Sequence, residues 1–121
     1  MANYFKSLLG ALILTMVFTV NLEARNYYGA ISYSPSTGAY GYSYDHYSKY
    51  NAERAARNQC ARRDCVIPIW FKNACGALAI GSNGYGSGWG STRARAKREA
   101  LRSCRRYTGG CYIEKSVCTT R

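Results

Sequence analysis

The chain has one histidine, His46, and only six acidic residues against seventeen basic ones in 121 positions. A single histidine excludes a two-histidine ribonuclease. It also excludes most zinc sites, as does the lack of any C-x-x-C spacing among the six cysteines. There is no six-residue G-x-G-x-x-G register and no Walker lysine pattern. Gly86-Ser87-Gly88-Trp89-Gly90 resembles a nucleotide fingerprint only superficially, so nucleotide binding is rejected. The acids beyond the first two dozen residues, Asp45, Glu53, Asp64, Glu99 and Glu114, are scattered. Glycosidase chemistry needs two facing carboxylates, and Asp45 has no acidic counterpart in the second half of the chain. Asp45-His46, read as a catalytic pair beside several hydroxyls, is the only enzymatic option, and a hydrolase is the least favoured reading. No cofactor and no metal are expected.

What is present is a repeat. Gly29-Ala30-Ile31-Ser32 is answered by Gly76-Ala77-Leu78-Ala79, and Asn51 to Cys60 by Arg95 to Cys104. Cys65 is answered by Cys111 and Cys75 by Cys118, at offsets between 43 and 47 residues. The repeats are placed at 27–74 and 75–121.

The first 24 residues are expected to be a secretory signal peptide. Lys6 lies in a short polar start, Ser7 to Leu22 carries no charge, and Glu23-Ala24 supplies a small residue before the cut. The apolar run is short for a membrane span, so no span is expected in the mature form. Residues 25–121 then form a single domain, secreted or periplasmic. Six cysteines in a small exported chain imply three disulfides and leave no thiol nucleophile. Equivalent positions should pair equivalently, which selects Cys60–Cys65, Cys104–Cys111 and one long-range bridge, Cys75–Cys118, expected to tie the halves together.

Each repeat reads as strand, strand, helix, strand. Tyr28 to Ser34 and Ala39 to Tyr44 flank a turn at Pro35-Ser36-Thr37-Gly38. Cys75 to Gly81 and Tyr85 to Gly90 flank Asn83-Gly84, a tight-hairpin signal. Lys49 to Arg62 and Thr92 to Arg106 contain no glycine or proline and predict helices, the second capped by Thr92. Cys65 to Phe71 and Cys111 to Cys118 close the two units. The fold class is α+β: a pseudo-twofold repeat with a mainly antiparallel sheet of about six strands, two helices and three disulfides. The glycine rows of the strands face the alanine stripes of the helices, Ala52, Ala55, Ala56 and Ala96, Ala100, so that helix and sheet backbones approach closely.

Two features bear on function. Losing Lys6 and Glu23 with the signal leaves the formal charge at +11. Arg54 and Arg57 on the first helix, and Arg95, Arg98, Arg102, Arg105 and Arg106 on the second, form basic faces attracted to polyanions. Tyr40, Tyr42, Tyr44, Tyr85 and Trp89 lie opposite the glycine rows. If that face is open, it is a stacking platform for sugars or bases. If it is covered, the same rings supply the core of a domain with few aliphatic residues.

Tyr28-Gly29-Ala30-Ile31-Ser32-Tyr33-Ser34, Trp70-Phe71-Lys72-Asn73-Ala74-Cys75-Gly76-Ala77-Leu78-Ala79, Gly84 to Gly90 and the Ala96…Ala100…Cys104 helix together resemble a bacterial family called domain of unknown function 4189. The resemblance spans nearly all of residues 25–121. It implies small exported proteins without an established common activity, and it transfers no catalytic residue. The leading expectation is a non-enzymatic, exported basic binding module whose partner is an anionic envelope polymer or an acidic protein. Nucleic acid is a possible but unspecific partner. The alternative is an inhibitor or immunity-type protein that neutralises an enzyme or toxin.

Overall fold

The computed structural model describes residues 25–120; the expected signal segment 1–24 lies outside them. The element order is β1 (Tyr28–Tyr33), β2 (Tyr40–His46), α1 (Lys49–Cys60), β3 (Val66–Lys72), β4 (Cys75–Gly81), β5 (Gly84–Gly90), α2 (Arg93–Arg105) and β6 (Tyr112–Cys118). This is strand, strand, helix, strand, twice. Both helices start where a hydroxyl can cap them. Ser48 Oγ accepts from Asn51 N at 3.1 Å, and Thr92 Oγ1 accepts from Arg95 N at 3.2 Å.

The six strands divide into two antiparallel three-stranded sheets, ordered β2-β1-β3 and β5-β4-β6, instead of forming one continuous sheet. The reason lies in the strand faces. Ala30 and Ser32 of β1 face α1, while Ile31 and Tyr33 point the other way; Ala77 and Ala79 of β4 face α2, while Leu78 points away. A single sheet with both helices on one side would leave the Ile, Leu and Tyr face in water. Stacking two sheets buries it, and the result is four layers: α1, sheet, sheet, α2. β1 lies against β4, β2 against β6, and β3 against β5. Asn73, at φ 50°, turns the chain from one sheet to the next between β3 and β4.

Three clusters hold the layers together. Ile31, Phe71, Leu78 and Val117 fill the middle, with Tyr40, Tyr42 and Tyr85 packed against them. Burying each of these aliphatic or aromatic groups stabilises the fold by about 1.5–3 kcal/mol. Ala30, Ala52 and Ala56 join the first sheet to α1, and Ala77, Ala79, Ala96, Ala100 and Cys104 join the second to α2. Gly86 and Gly88 allow the second contact, because an added Cβ would run into the backbone around Cys104 and Ala100. The first contact uses hydroxyls as well: Ser32 Oγ donates to Ala56 O at 2.6 Å and Ser43 Oγ to Ala52 O at 2.7 Å. The aromatic row is therefore covered at Tyr40, Tyr42 and Tyr85 and open at Tyr44 and Trp89.

The disulfides are Cys60–Cys65, Cys104–Cys111 and Cys75–Cys118, with no free cysteine among the described residues. Such pairing belongs to an oxidising compartment. The expectation that Cys75–Cys118 joins the halves is corrected. Cys75 and Cys118 are register partners on β4 and β6, with Cα atoms 3.9 Å apart, so the bridge closes the second half alone. Their structural counterparts on β1 and β3 are Tyr28 and Lys72, which pair in the same register, so Cys75 and Cys118 do not repeat each other. The second hairpin is also shifted by one residue: Gly81 pairs with Gly84, so the loop is Ser82-Asn83.

Loop contacts follow the repeat even where residue types do not. Asn73 N donates to Tyr27 O and Tyr27 N to Asn73 Oδ1; Thr119 N donates to Ala74 O and Ala74 N to Thr119 Oγ1. The β1–β2 turn is held by Asp64, which accepts from Ser34 Oγ at 2.5 Å and Ser36 N at 2.9 Å. The β4–β5 turn is held by Thr108, whose Oγ1 accepts from Asn83 N at 2.8 Å. Hydrogen bonds from Ser34 and Ser36 pull the Asp64 carboxyl down to about 2.

Candidate functional site

β3 and β5 are edge strands of different sheets, and they run beside each other along one rim of the sandwich. Proline at position 68 removes a donor from β3, and Ser87 Oγ of β5 donates to the Pro68 carbonyl at 3.1 Å. Trp89 stands on this rim, 59% exposed. Its ring makes no aromatic or cation–π contact among the described residues.

The glycine row decides what surrounds Trp89. With no side chain at Gly88 or Gly90, α2 lies directly on β5, and the stems of Glu99 and Arg95 fill the places where Cβ atoms would be. One stripe of α2, Arg95, Glu99 and Arg102, continued by Arg106 at its C-terminal cap, therefore borders the edge of β5 beside Trp89. Arg102 Nη1 lies 3.4 Å from Glu99 Oε1. The pair is solvated, so it orients the guanidinium more than it stabilises the fold. Three concavities meet at Trp89. The first, about 370 Å³, is bordered by Pro68, Trp70 and Lys72. The second, about 280 Å³, is bordered by Ser87, Arg102 and Arg106, and the third, about 450 Å³, by Gly90, Ser91 and Arg95.

This placement sorts the residues singled out in the sequence. Arg95, Arg102, Arg106 and Trp89 border the same edge of β5, the arginines from the α2 side and Trp89, the register partner of Gly76, from the side that faces the first sheet. Arg98 and Arg105 are exposed on α2 but do not border these concavities. Arg54 and Arg57 lie on α1, which packs on the first sheet only, so the two basic helices occupy opposite outer layers and form no common surface. Tyr42 is taken by Lys115, whose Nζ sits 4.0 Å from the ring centroid. Tyr85 packs tilted against Tyr33, with ring centroids 4.9 Å apart, and burial, followed by nearby Tyr112 and Glu114, raises the Tyr33 hydroxyl above its ordinary range. Asp45 is spent on the chain end: its Oδ1 accepts from Thr120 N at 2.7 Å and its Oδ2 from Thr120 Oγ1 at 2.9 Å.

Sequence reasoning missed Trp70, Lys72 and the position of Glu99. Pro68 within an apolar run marks an edge strand, and it was the available signal that β3 borders an open rim. Trp70 is 41% exposed, yet Tyr28 lies 6.3 Å away and Lys49 Nζ sits 4.7 Å above its ring, so it is a wall and not an open platform. No group of three or more metal-ligating side chains occurs among the described residues. No helix among them is long and apolar enough to cross a membrane.

Comparison with known proteins places this architecture among mycobacterial relatives. The chain is 38% identical over 96 residues to Protein Rv1269c of Mycobacterium tuberculosis, covering 79% of this chain and 73% of that one. It is 36% identical over 75 residues to the uncharacterized protein Rv1813c of the same species, covering 62% of this chain and 51% of that one. The NMR structure of Rv1813c superimposes with a TM-score of 0.60 at 29% identity, covering 82% of this chain and 80% of the other. With residues 28–118 matching the family profile, the chain belongs to the family described as Domain of unknown function (DUF4189).

Proposed function

We propose that this protein is a small exported binding module, without enzymatic activity of its own, that engages an anionic envelope polymer or an acidic partner. The observation that supports this reading most is the conjunction of an exposed indole, Trp89, with three guanidinium groups on one helix stripe, Arg95, Arg102 and Arg106. Guanidinium forks match carboxylate, sulfate and phosphate oxygens two at a time, and an indole face adds non-polar contact to whatever carries the charge. Export is supported by three disulfides and by the uncharged run Ser7 to Leu22 near the start of the sequence.

Retention of the oxidised protein on immobilised heparin or lipopolysaccharide tests the reading. Binding should be strong at low salt and weaken steeply as salt rises, because it draws on screened charge pairs. Arg95→Glu with Arg102→Glu should lower the eluting salt concentration more than Arg54→Glu with Arg57→Glu on the other outer layer. Absence of retention at low salt, or retention indifferent to salt, would sink it.

A further inference from the structure

We propose that the ligand of the Trp89 rim is an acidic polysaccharide: Trp89 stacks on a sugar ring, and Arg95, Arg102 and Arg106 hold its acidic groups. This rests on the binding-module reading and names its ligand class. Three observations select a glycan from among the polyanions. First, the three concavities share Trp89 and are lined from the β3 edge on one side and from β5 and α2 on the other, an arrangement suited to an extended chain. Along α2, Arg95 to Arg102 spans about 10 Å and Arg102 to Arg106 about 6 Å at helical rise, so the cations are spaced out and not clustered.

Second, Glu99 sits inside the arginine stripe, between Arg95 and Arg102, with Ser87 and Ser103 beside it. A DNA backbone presents acceptor oxygens and no hydroxyl donor to that carboxylate. A sugar chain instead brings hydroxyl groups, which donate to a carboxylate oxygen and exchange hydrogen bonds with serine hydroxyls. Third, an acidic peptide would gain most of its affinity by pairing with a free strand edge. Here Pro68 has no N–H, and Ser87 already occupies its carbonyl, so the middle of the β3 edge is a poor template for strand addition. Sugar rings need no strand edge. Their axial C–H faces lie on indole as bases do, and stacking of that kind falls about tenfold or more when the ring is removed.

The test is a titration of the oxidised protein, followed by tryptophan fluorescence and calorimetry. The probes are an oligogalacturonate, a poly-L-glutamate of equal charge number, a single-stranded oligonucleotide and an uncharged glucan. The expected result is quenching by oligogalacturonate, with affinity about tenfold or more above that for poly-L-glutamate. Trp89→Ala should weaken oligogalacturonate about tenfold and leave poly-L-glutamate within twofold, while Trp89→Tyr keeps most of the binding. Arg102→Gln should weaken both. A Trp89→Ala variant that weakens neither or both alike, or tighter binding of the oligonucleotide, overturns the glycan assignment and leaves the binding-module reading standing. Failure of every charged probe to bind the wild-type protein overturns both. Because Trp89 is 59% exposed, Trp89→Ala should lose only part of a buried ring's contribution, lower the unfolding temperature by several degrees and stay folded under the titration conditions.

Discussion

The Phe71 ring lies between Gly29 and Gly76, which occupy equivalent positions in the two halves, and this makes a quantitative prediction. The three atoms nearest a Cβ added at Gly76 all belong to the Phe71 ring, whereas a Cβ at Gly29 would meet the ring and the Ser43 carbonyl oxygen. Gly76→Ala alone overpacks the middle layer and should cost about 1–3 kcal/mol. Phe71→Ala alone removes a ring that is 2% exposed and should cost about 3–5 kcal/mol. In the double variant the clash is gone and the new methyl refills part of the cavity, returning about 0.8 kcal/mol. It should therefore be destabilised by about 2–4 kcal/mol instead of the summed 4–8, a coupling of about 2–4 kcal/mol. Gly29→Ala combined with Phe71→Ala should recover less, because the Ser43 carbonyl does not move with the ring. Urea unfolding of the oxidised proteins, read by circular dichroism with m-values held in common, measures the four corners of the cycle. If the Gly76 and Phe71 costs add within about 0.5 kcal/mol, the wedge between the halves is not the contact described here.

Ala61 caps α1 at φ 55°, where a Cβ costs about 1–2 kcal/mol, so Ala61→Gly should stabilise the protein by about 1 kcal/mol in the same assay. The Cys75–Cys118 bridge closes 43 residues and Cys60–Cys65 only 5. Loop-closure entropy then gives about 4 and about 2 kcal/mol, and paired Cys→Ala variants should melt in that order. Asp64 is held down at about 2 against an ordinary 3.8, so its contribution is complete above pH 4 and is lost as pH falls from there toward 2. Acid titration of stability should be flatter over that window in Asp64→Asn, and an unchanged profile would show that the turn contact carries no linkage.

The elements were legible in the sequence because each signal was local. Alanine at helical spacing marked both helices, hydroxyls marked their starts, and glycine alternation marked the strand faces that α1 and α2 cover. The short disulfides followed from Cys60, Cys65, Cys104 and Cys111 recurring at matching places. What the sequence did not disclose was how two faces compete for burial. Tyr40, Tyr42 and Tyr85 read equally well as an open platform or a core, and only the stacking of a second sheet decides between them. The same gap explains Cys75 and Cys118: their similar offset suggested a repeat pair, but register assigns them to neighbouring strands of one sheet. The site was half legible. Arg95, Arg102, Arg106 and Trp89 were named from composition and period, while Pro68, Lys72 and Glu99 join them only through the meeting of two sheet edges.

The four-layer order has a consequence for encounter kinetics. Six basic residues and one acid lie on α2, and three basic residues and one acid on α1, at opposite poles of the molecule. Such a distribution has a large net charge but a weakened dipole, so an approaching polyanion is drawn in from either pole and is not turned into one orientation beforehand. On the binding reading proposed above, capture and alignment are separate events: fast arrival, strongly slowed by salt, followed by reorientation at the surface until the Trp89 rim is reached. Stopped-flow traces should resolve two phases, of which only the first depends on ionic strength and only the second on Trp89.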